Sequence, residues 1–330
     1  MNRICIVGAG AIGGFIGARL SLSAQDQRNP AIAVCALARG ATLDALRTHG
    51  WRLREGDRLQ SANAIASDQA ATLGVQDLVI IAVKAPALPK LAPTLAPLIG
   101  PDTVVMAAMN GVPWWFMSKA NVPYDPLQCV DPDGAIGRAI AFEKVLGCVV
   151  HTSTFTPEPG FVQVKMGNGL IIGHPNDPAS KAAATVTDLM TRSGFEATTS
   201  TRIRYDIWYK LWGNMTINPI SALTGALSDQ ILDDPLVLAF VSNCMLEAGA
   251  VGAAIDCLID QTPQDRHAIT RKLGGFKTSM LQDVQANRAI ELDALVGVVR
   301  EIAQRCAVAT PNLDTLFGMT RLFGKVRGIY

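Results

Sequence analysis

Ile4-Cys5-Ile6-Val7-Gly8-Ala9-Gly10-Ala11-Ile12-Gly13-Gly14 begins as an apolar strand and runs straight into glycines spaced G-x-G-x-x-G. The helical stretch Phe15-Ile16-Gly17-Ala18-Arg19-Leu20 comes next, which completes the strand, turn and helix of a dinucleotide-binding turn. Each glycine has its own task. Gly8 makes the tight turn, Gly10 lets backbone N–H groups approach a pyrophosphate, and Gly13 lets the helix pack against the strand. The phosphate sits at the helix start, at Ala11, Ile12 and Gly13, where unpaired N–H groups and the helix dipole favour negative charge. The competing reading is a Gly-rich turn that binds nothing, and the flanking strand and helix argue against it.

With 330 residues the chain has room for about two domains. Hydrophobic residues at 49% against 17% charged fit a well-buried α/β protein, and a net charge of +1 leaves no footprint for nucleic acid. Mean hydropathy is +0.25. The most apolar stretch, Leu78 to Val83, is closed by Asp77 and Lys84 and is far too short to cross a bilayer, so no membrane span is expected. Arg3 leads into a strand, not into a signal-peptide layout. Seven cysteines (Cys5, Cys35, Cys129, Cys148, Cys244, Cys257 and Cys306) lie scattered without C-x-x-C spacing, which fits reduced thiols in a cytoplasmic protein. The four histidines have no metal-ligand spacing, and His151 reads as a strand residue; no metal site is expected.

Further buried strands are expected at Ala31 to Ala38, Asp77 to Val83 and Thr103 to Met109, with a helix at Ala41 to Gly50. Continuous apolar runs alternating with helical patterns predict parallel strands covered on both faces, hence a Rossmann-type doubly wound sheet over residues 1–200. Cys148 to Phe155 and Phe161 to Val164, about a turn at Pro157 to Gly160, extend that sheet as antiparallel strands. Apolar-periodic segments at Ile203 to Thr216, Leu236 to Ala254, Pro263 to Asn287 and Leu292 to Cys306 predict an all-helical domain over residues 201–330.

Ligands of open α/β sheets bind beyond the carboxyl ends of the strands, where Arg39, Lys84 and Asn110 fall. A cation after the second strand suits a 2′-phosphate, and Lys84 could add charge to the same pocket; the alternative for both is a solvated strand-end cation. In the helical half, Lys210, Asn214 and Asn218 recur every four residues and stack on one helix face among apolar neighbours. A partly desolvated lysine is suited to protonating a developing alkoxide, while the plainer reading is a surface stripe. A second polar set runs from Ser279 to Asp283 and from Asn287 to Asp293, with Glu291 in the first turn of the last long helix.

Taken in order, Gly8 to Gly13, Arg39, Val83-Lys84-Ala85, Met109-Asn110-Gly111, Trp208 to Leu211, Asn214 to Pro219 and Thr278 to Asp283 resemble the ketopantoate (2-dehydropantoate 2-) reductase family over nearly the whole chain. The resemblance implies NADPH-dependent reduction of a 2-keto acid in a cleft between the two domains. It also implies that Lys210 is the general acid and that Asn110 bonds substrate and orients the lysine. Asn214 and Asn218 match substrate-contacting asparagines, Ser279 a carboxylate-binding serine, and Glu291 the acid that holds the substrate's terminal hydroxyl. Arg39 and Lys84 match the cations for the 2′-phosphate.

Two departures bear on the substrate. Val112-Pro113-Trp114-Trp115-Phe116 stands where the family continues with glycine and small polar residues, so the tryptophans either reshape the pocket or pack the domain interface. The proline-rich stretch Val122 to Asp133 reads as an insertion that could cover the site. The expected partner is a small 2-keto acid, with a homodimer allowed. Alternatives are a related NADP-dependent oxidoreductase of another 2-keto or 2-hydroxy acid, and a non-catalytic NADPH-binding sensor.

Overall fold

Strand β1 (Arg3–Val7) is buried from Ile4 onward, and α1 (Ala11–Gln25) leaves it through the glycine turn. The computed structural model describes residues 1–120 and 122–330. The described residues form two units. The first comprises Met1–Met109, Trp115–Asp125 and Gly134–Ile203, the second Asn110–Trp114, Pro126–Asp133 and Arg204–Tyr330.

In the first unit the strands after β1 are β2 (Ala33–Leu37), β3 (Trp51–Glu55), β4 (Arg58–Ala62), β5 (Ile65–Ser67), β6 (Gln76–Ile81), β7 (Ile99–Ala107), β8 (Val145–Glu158), β9 (Phe161–Gly173) and β10 (Glu196–Thr199). The helices are α2 (Gly40–His49), α3 (Ala70–Leu73), α4 (Leu88–Leu91), α5 (Ala135–Ala139) and α6 (Lys181–Arg192). The sheet runs β4-β3-β9-β8-β7-β6-β1-β2-β5, with β10 beside β9. The β1–β2, β1–β6 and β6–β7 pairs are parallel, as the apolar runs predict, and β8 joins β7 in parallel as well, which the sequence pattern does not predict. The β8–β9 pair is antiparallel.

The β3–β4 hairpin lies outside the predicted strands. Trp51-Arg52-Leu53 alternates inward and outward, the pattern of a half-buried strand. Strands β4 and β5 form the two edges of the sheet, yet only Asn63-Ala64 separates them. The sheet therefore curls, and α1 packs against β1, β2, β3, β4, β8 and β9. This explains why α1 is apolar nearly all round. Gly14 and Gly17 admit the curled wall: a Cβ would lie 2.7 Å from Val162 and 2.4 Å from the Trp51 ring, respectively.

The second unit holds α7 (Ile203–Thr224) from Arg204 onward, and α8 (Ser228–Asp233), α9 (Pro235–Ala254), α10 (Pro263–Arg271), α11 (Ser279–Gln285), α12 (Val298–Arg305) and α13 (Pro311–Val326). The single helix expected over Pro263 to Asn287 is two helices, broken where Gly274 takes φ +69 and Gly275 leaves no room for a side chain beside Asp229. Among the described residues α9 is the one helix long and apolar enough by length and composition to cross a membrane, its most apolar 18 residues having mean hydropathy 1.7.

Candidate active site

The glycine turn has the three properties that its spacing requires. Gly8 holds φ +91, and a Cβ there would lie 2.5 Å from Val83. At Gly13 a Cβ would lie 2.0 Å from the carbonyl oxygen of Gly8, so only glycine lets α1 start this close to β1. Gly10 is the helix N-cap, has no side-chain cap, and would meet nothing within 4 Å. The space over the N-termini of Ala11 and Ile12 is therefore open, as an incoming phosphate needs.

Register fixes the neighbours of this turn. Val7 lies opposite Leu37 and Ile81, and Ile81 opposite Ala107, so four adjacent strands end level. Arg39 follows Leu37 by two residues, Lys84 follows Ile81 by three, and Asn110 follows Ala107 by three. Arg39 is exposed and makes no ion pair among the described residues, which leaves its guanidinium available to an anion. Lys84 is half-buried. A separate cavity of about 620 Å³, lined by Ser21, Gln25, His49 and Asn63, opens at the opposite end of α1 and takes no part in this set.

The second unit carries the polar stripe. Helix α7 is anchored by buried Trp208 and by Trp212, whose indole N–H donates to the Met245 carbonyl at 2.7 Å. The Arg266 guanidinium lies over the Tyr209 ring at 5.2 Å and fills the space beside Gly213, where a Cβ would meet it at 2.3 Å. Tyr209 donates its hydroxyl to Gln261 at 2.7 Å. These contacts fix the rotation of α7 and hence the direction of the stripe.

Lys210 Nζ donates to Asn110 Oδ1 at 2.9 Å, a bond between residues one hundred positions apart, both in the second unit. An amide oxygen occupies one of the three ammonium donors and leaves the charge in place. Asn110 is held by its two C-terminal neighbours. Gly111 has φ +79 and lies so close to Ala294 that a Cβ would be 2.3 Å from its carbonyl oxygen, while Val112 N–H donates to that oxygen at 2.9 Å. The Asn110 loop is thereby seated three residues beyond Glu291. Gly111 is a site residue to which its sequence context assigns no role; the Asn-Gly pair at a strand end was its signal.

Glu291 is half-buried and stands just before the helical turn that starts at Leu292, not in its first turn as expected. The turn continues as a π-helix over Asp293–Gly297. Burial raises the Asp293 carboxyl, and Tyr330 donates its hydroxyl to it at 2.9 Å. Along α7, Asn214 is half-buried, and buried Asn218 donates to Ser279 Oγ at 3.4 Å. Ser279 opens α11, whose N-cap is Thr278. The structure thus joins Lys210 to Asn110 and Asn218 to Ser279.

Trp114 and Trp115 are almost wholly buried, and the Trp115 ring packs against Gly147 in the first unit. Trp115 is a core residue. The stretch Pro126–Asp133 is tied to α12: Gln128 and Cys129 N–H donate to the two oxygens of Glu301 at 2.8 Å, and Arg305 donates to the Pro126 carbonyl.

The first unit thus offers a glycine turn open to an anion, and the second an ammonium held by the Asn110 amide. The former can take a phosphate, and the latter can protonate a polar oxygen. Among the described residues no cluster of His, Cys, Asp and Glu is suited to a metal.

The profile described as "Ketopantoate reductase PanE/ApbA" matches residues 4–177, and its C-terminal counterpart matches residues 202–323. A 2-dehydropantoate 2-reductase of Mesorhizobium japonicum is 36% identical, covering 99% of both chains. A provisionally assigned ketopantoate reductase from Ralstonia solanacearum has the same fold at TM-score 0.94 and 51% identity, covering 100% of this chain and 99% of that one. A D-mandelate dehydrogenase solved with NADH shares the fold at TM-score 0.83 and 21% identity, covering 99% of this chain and 100% of its own.

Proposed function

Because the chain belongs to the ketopantoate reductase family, we propose that it reduces 2-dehydropantoate to pantoate with NADPH, the reductive step toward pantothenate. The observation that carries this reading is the 2.9 Å bond from Lys210 to Asn110, which aims an ammonium donor from the substrate-facing stripe. The open N-terminus of α1 at Gly10 fits the pyrophosphate, and the unpaired Arg39, with Lys84, fits the 2′-phosphate that distinguishes NADPH from NADH. Bound there, the nucleotide supplies the hydride.

The chain's own groups do the rest. Lys210 protonates the ketone oxygen as negative charge develops on it, and Asn110 keeps the ammonium in line. Asn214, Asn218 and Ser279 donate to substrate oxygens; the long Asn218–Ser279 contact of 3.4 Å leaves both groups able to turn toward a carboxylate. Glu291 accepts from the substrate's terminal hydroxyl.

The test is NADPH oxidation with 2-dehydropantoate and with its deoxy analogue, which lacks that hydroxyl. A site built around Glu291 rejects the analogue by up to roughly 10⁴–10⁵ in kcat/KM, and Glu291→Ala removes most of the difference. Equal turnover of both by the wild type would overturn the substrate assignment in favour of another 2-keto acid.

A further inference from the structure

After α13 the backbone folds back onto the stretch that carries Glu291. Gly328 takes φ +67 and donates its N–H to the Lys325 carbonyl, and Ile329 N–H donates to the Gly324 carbonyl at 2.9 Å, so the helix end is closed by a left-handed turn. The two residues beyond that turn grip Glu291 from either side. Ile290 N–H donates to the Ile329 carbonyl at 3.0 Å, and the Tyr330 hydroxyl donates to Asp293 Oδ1 at 2.9 Å. Ile290 and Ile329 are buried, whereas Tyr330 is 40% exposed, so its contribution is the bond to Asp293 more than the burial of its ring. Gly324 makes room for the grip: a Cβ there would lie 2.7 Å from Tyr330 Cβ and 3.2 Å from Ile290 Cδ1.

The other end of the same stretch is fixed to the loop that holds the lysine. Asp293 opens the π-helical turn, where Val298 N–H closes on the Asp293 carbonyl five residues back, a geometry that recurs at functional sites. The next residue, Ala294, accepts the Val112 N–H at 2.9 Å, and two positions before Val112 stands Asn110, the acceptor of the Lys210 ammonium. Glu291 is thus tied on one side through Ile290 and on the other through Asp293, three residues from the carbonyl that seats the Lys210–Asn110 pair.

We infer that Ile329 and Tyr330 form a specificity hook, which fixes the distance from Glu291 to the Lys210–Asn110 pair and with it the length of 2-keto acid that engages both ends at once. The inference rests on the reduction proposed above. A carboxylate on a loop free to drift would accept a hydroxyl at many distances from the ketone and would select none of them. Held at Ile290 and at Asp293, it accepts one placed at a single distance. Ile329 and Tyr330 are positioning residues, acting through Glu291.

Steady-state NADPH oxidation with 2-dehydropantoate and with its deoxy analogue tests the hook. Tyr330→Phe keeps the ring and removes the bond. Its kcat/KM for 2-dehydropantoate is expected to fall about 10-fold, short of the ~10²-fold that a 1 Å misplacement can cost, chiefly through KM, while the deoxy analogue and NADPH affinity change less than ~2-fold. Gly324→Ala pushes on the hook from beneath, suits the helix in which it stands, and is expected to give the same selective loss. In a Glu291→Ala background, Tyr330→Phe should have no further effect, because the two act as one unit. Equal losses for both keto acids, a Tyr330→Phe protein that discriminates like the wild type, or an undiminished loss in the Glu291→Ala background would overturn the hook and leave the substrate assignment standing. A wild type that reduces both keto acids equally well would overturn that assignment, and the hook with it.

Discussion

Gly10→Ala and Gly13→Ala separate ligand binding from folding within one turn. At Gly10 the backbone has φ −79, which any residue adopts, and an added methyl meets no protein atom within 4 Å. The variant should keep its thermal midpoint, the unfolding free energy changing by less than about 0.5 kcal/mol. The same methyl stands where a pyrophosphate must approach the Ala11 and Ile12 N–H groups. Nucleotide affinity should fall at least ~10-fold, a loss of about 1.4 kcal/mol. At Gly13 the methyl would be 2.0 Å from the Gly8 carbonyl oxygen and 3.0 Å from Ala82 Cβ. Both are backbone-bound and neither can swing away, so α1 must shift by more than an ångström inside a curled sheet. The cost should reach or exceed the roughly 1–3 kcal/mol typical of overpacking. Thermal melts with and without NADPH, and quenching of tryptophan fluorescence by the nucleotide, report the two effects. A Gly10→Ala protein that binds NADPH normally would refute the assignment of the turn, as would a Gly13→Ala protein as stable as the wild type.

Arg39→Ala should weaken NADPH by about 1.5–3 kcal/mol, the scale of hydrogen bonds to charged groups, and leave NADH nearly unchanged in a fluorescence titration; equal losses would contradict its role. Asp77 supplies an acid-sensitive fastening: its carboxylate accepts the N–H groups of Asn2 and Arg3, which hold its pKa below the ordinary aspartate value. A depressed folded pKa gives stability that is present above the unfolded value near 3.9 and lost as pH falls through the folded one. Urea midpoints of the wild type should therefore exceed those of Asp77→Asn at pH 7 and converge with them toward pH 3.

What was legible in the sequence was local. The glycine turn could be read because strand, turn and helix are contiguous and each glycine answers a backbone demand. The strand-end positions of Arg39, Lys84 and Asn110 came from apolar runs whose ends could be counted. The β3–β4 hairpin escaped, although Glu55-Gly56-Asp57-Arg58 carries a turn signal with Gly56 at φ +56, because its strands alternate with arginines and lack a continuous apolar run. The break at Gly274-Gly275 was likewise written in the residues and overridden by apolar periodicity on either side.

Long-range facts were not legible. No spacing rule links Lys210 to Asn110, or Gly111 to Ala294, since both contacts depend on how the helices of the second unit fold onto its own segment Asn110–Trp114. The Trp114-Trp115 pair shows the same limit, because only packing could tell buried rings from a lined pocket.

The proposed chemistry rests most directly on Lys210, and single-turnover NADPH oxidation by Lys210→Ala in the presence of saturating 2-dehydropantoate tests it. The expected result is a rate constant lowered by about 10²–10⁴, the range of general acid catalysis, with the NADPH dissociation constant nearly unchanged because Gly8, Gly10, Gly13, Arg39 and Lys84, to which nucleotide binding is assigned here, belong to the first unit and Lys210 to the second. A variant that transfers hydride at a near wild-type rate across the pH range would contradict the account.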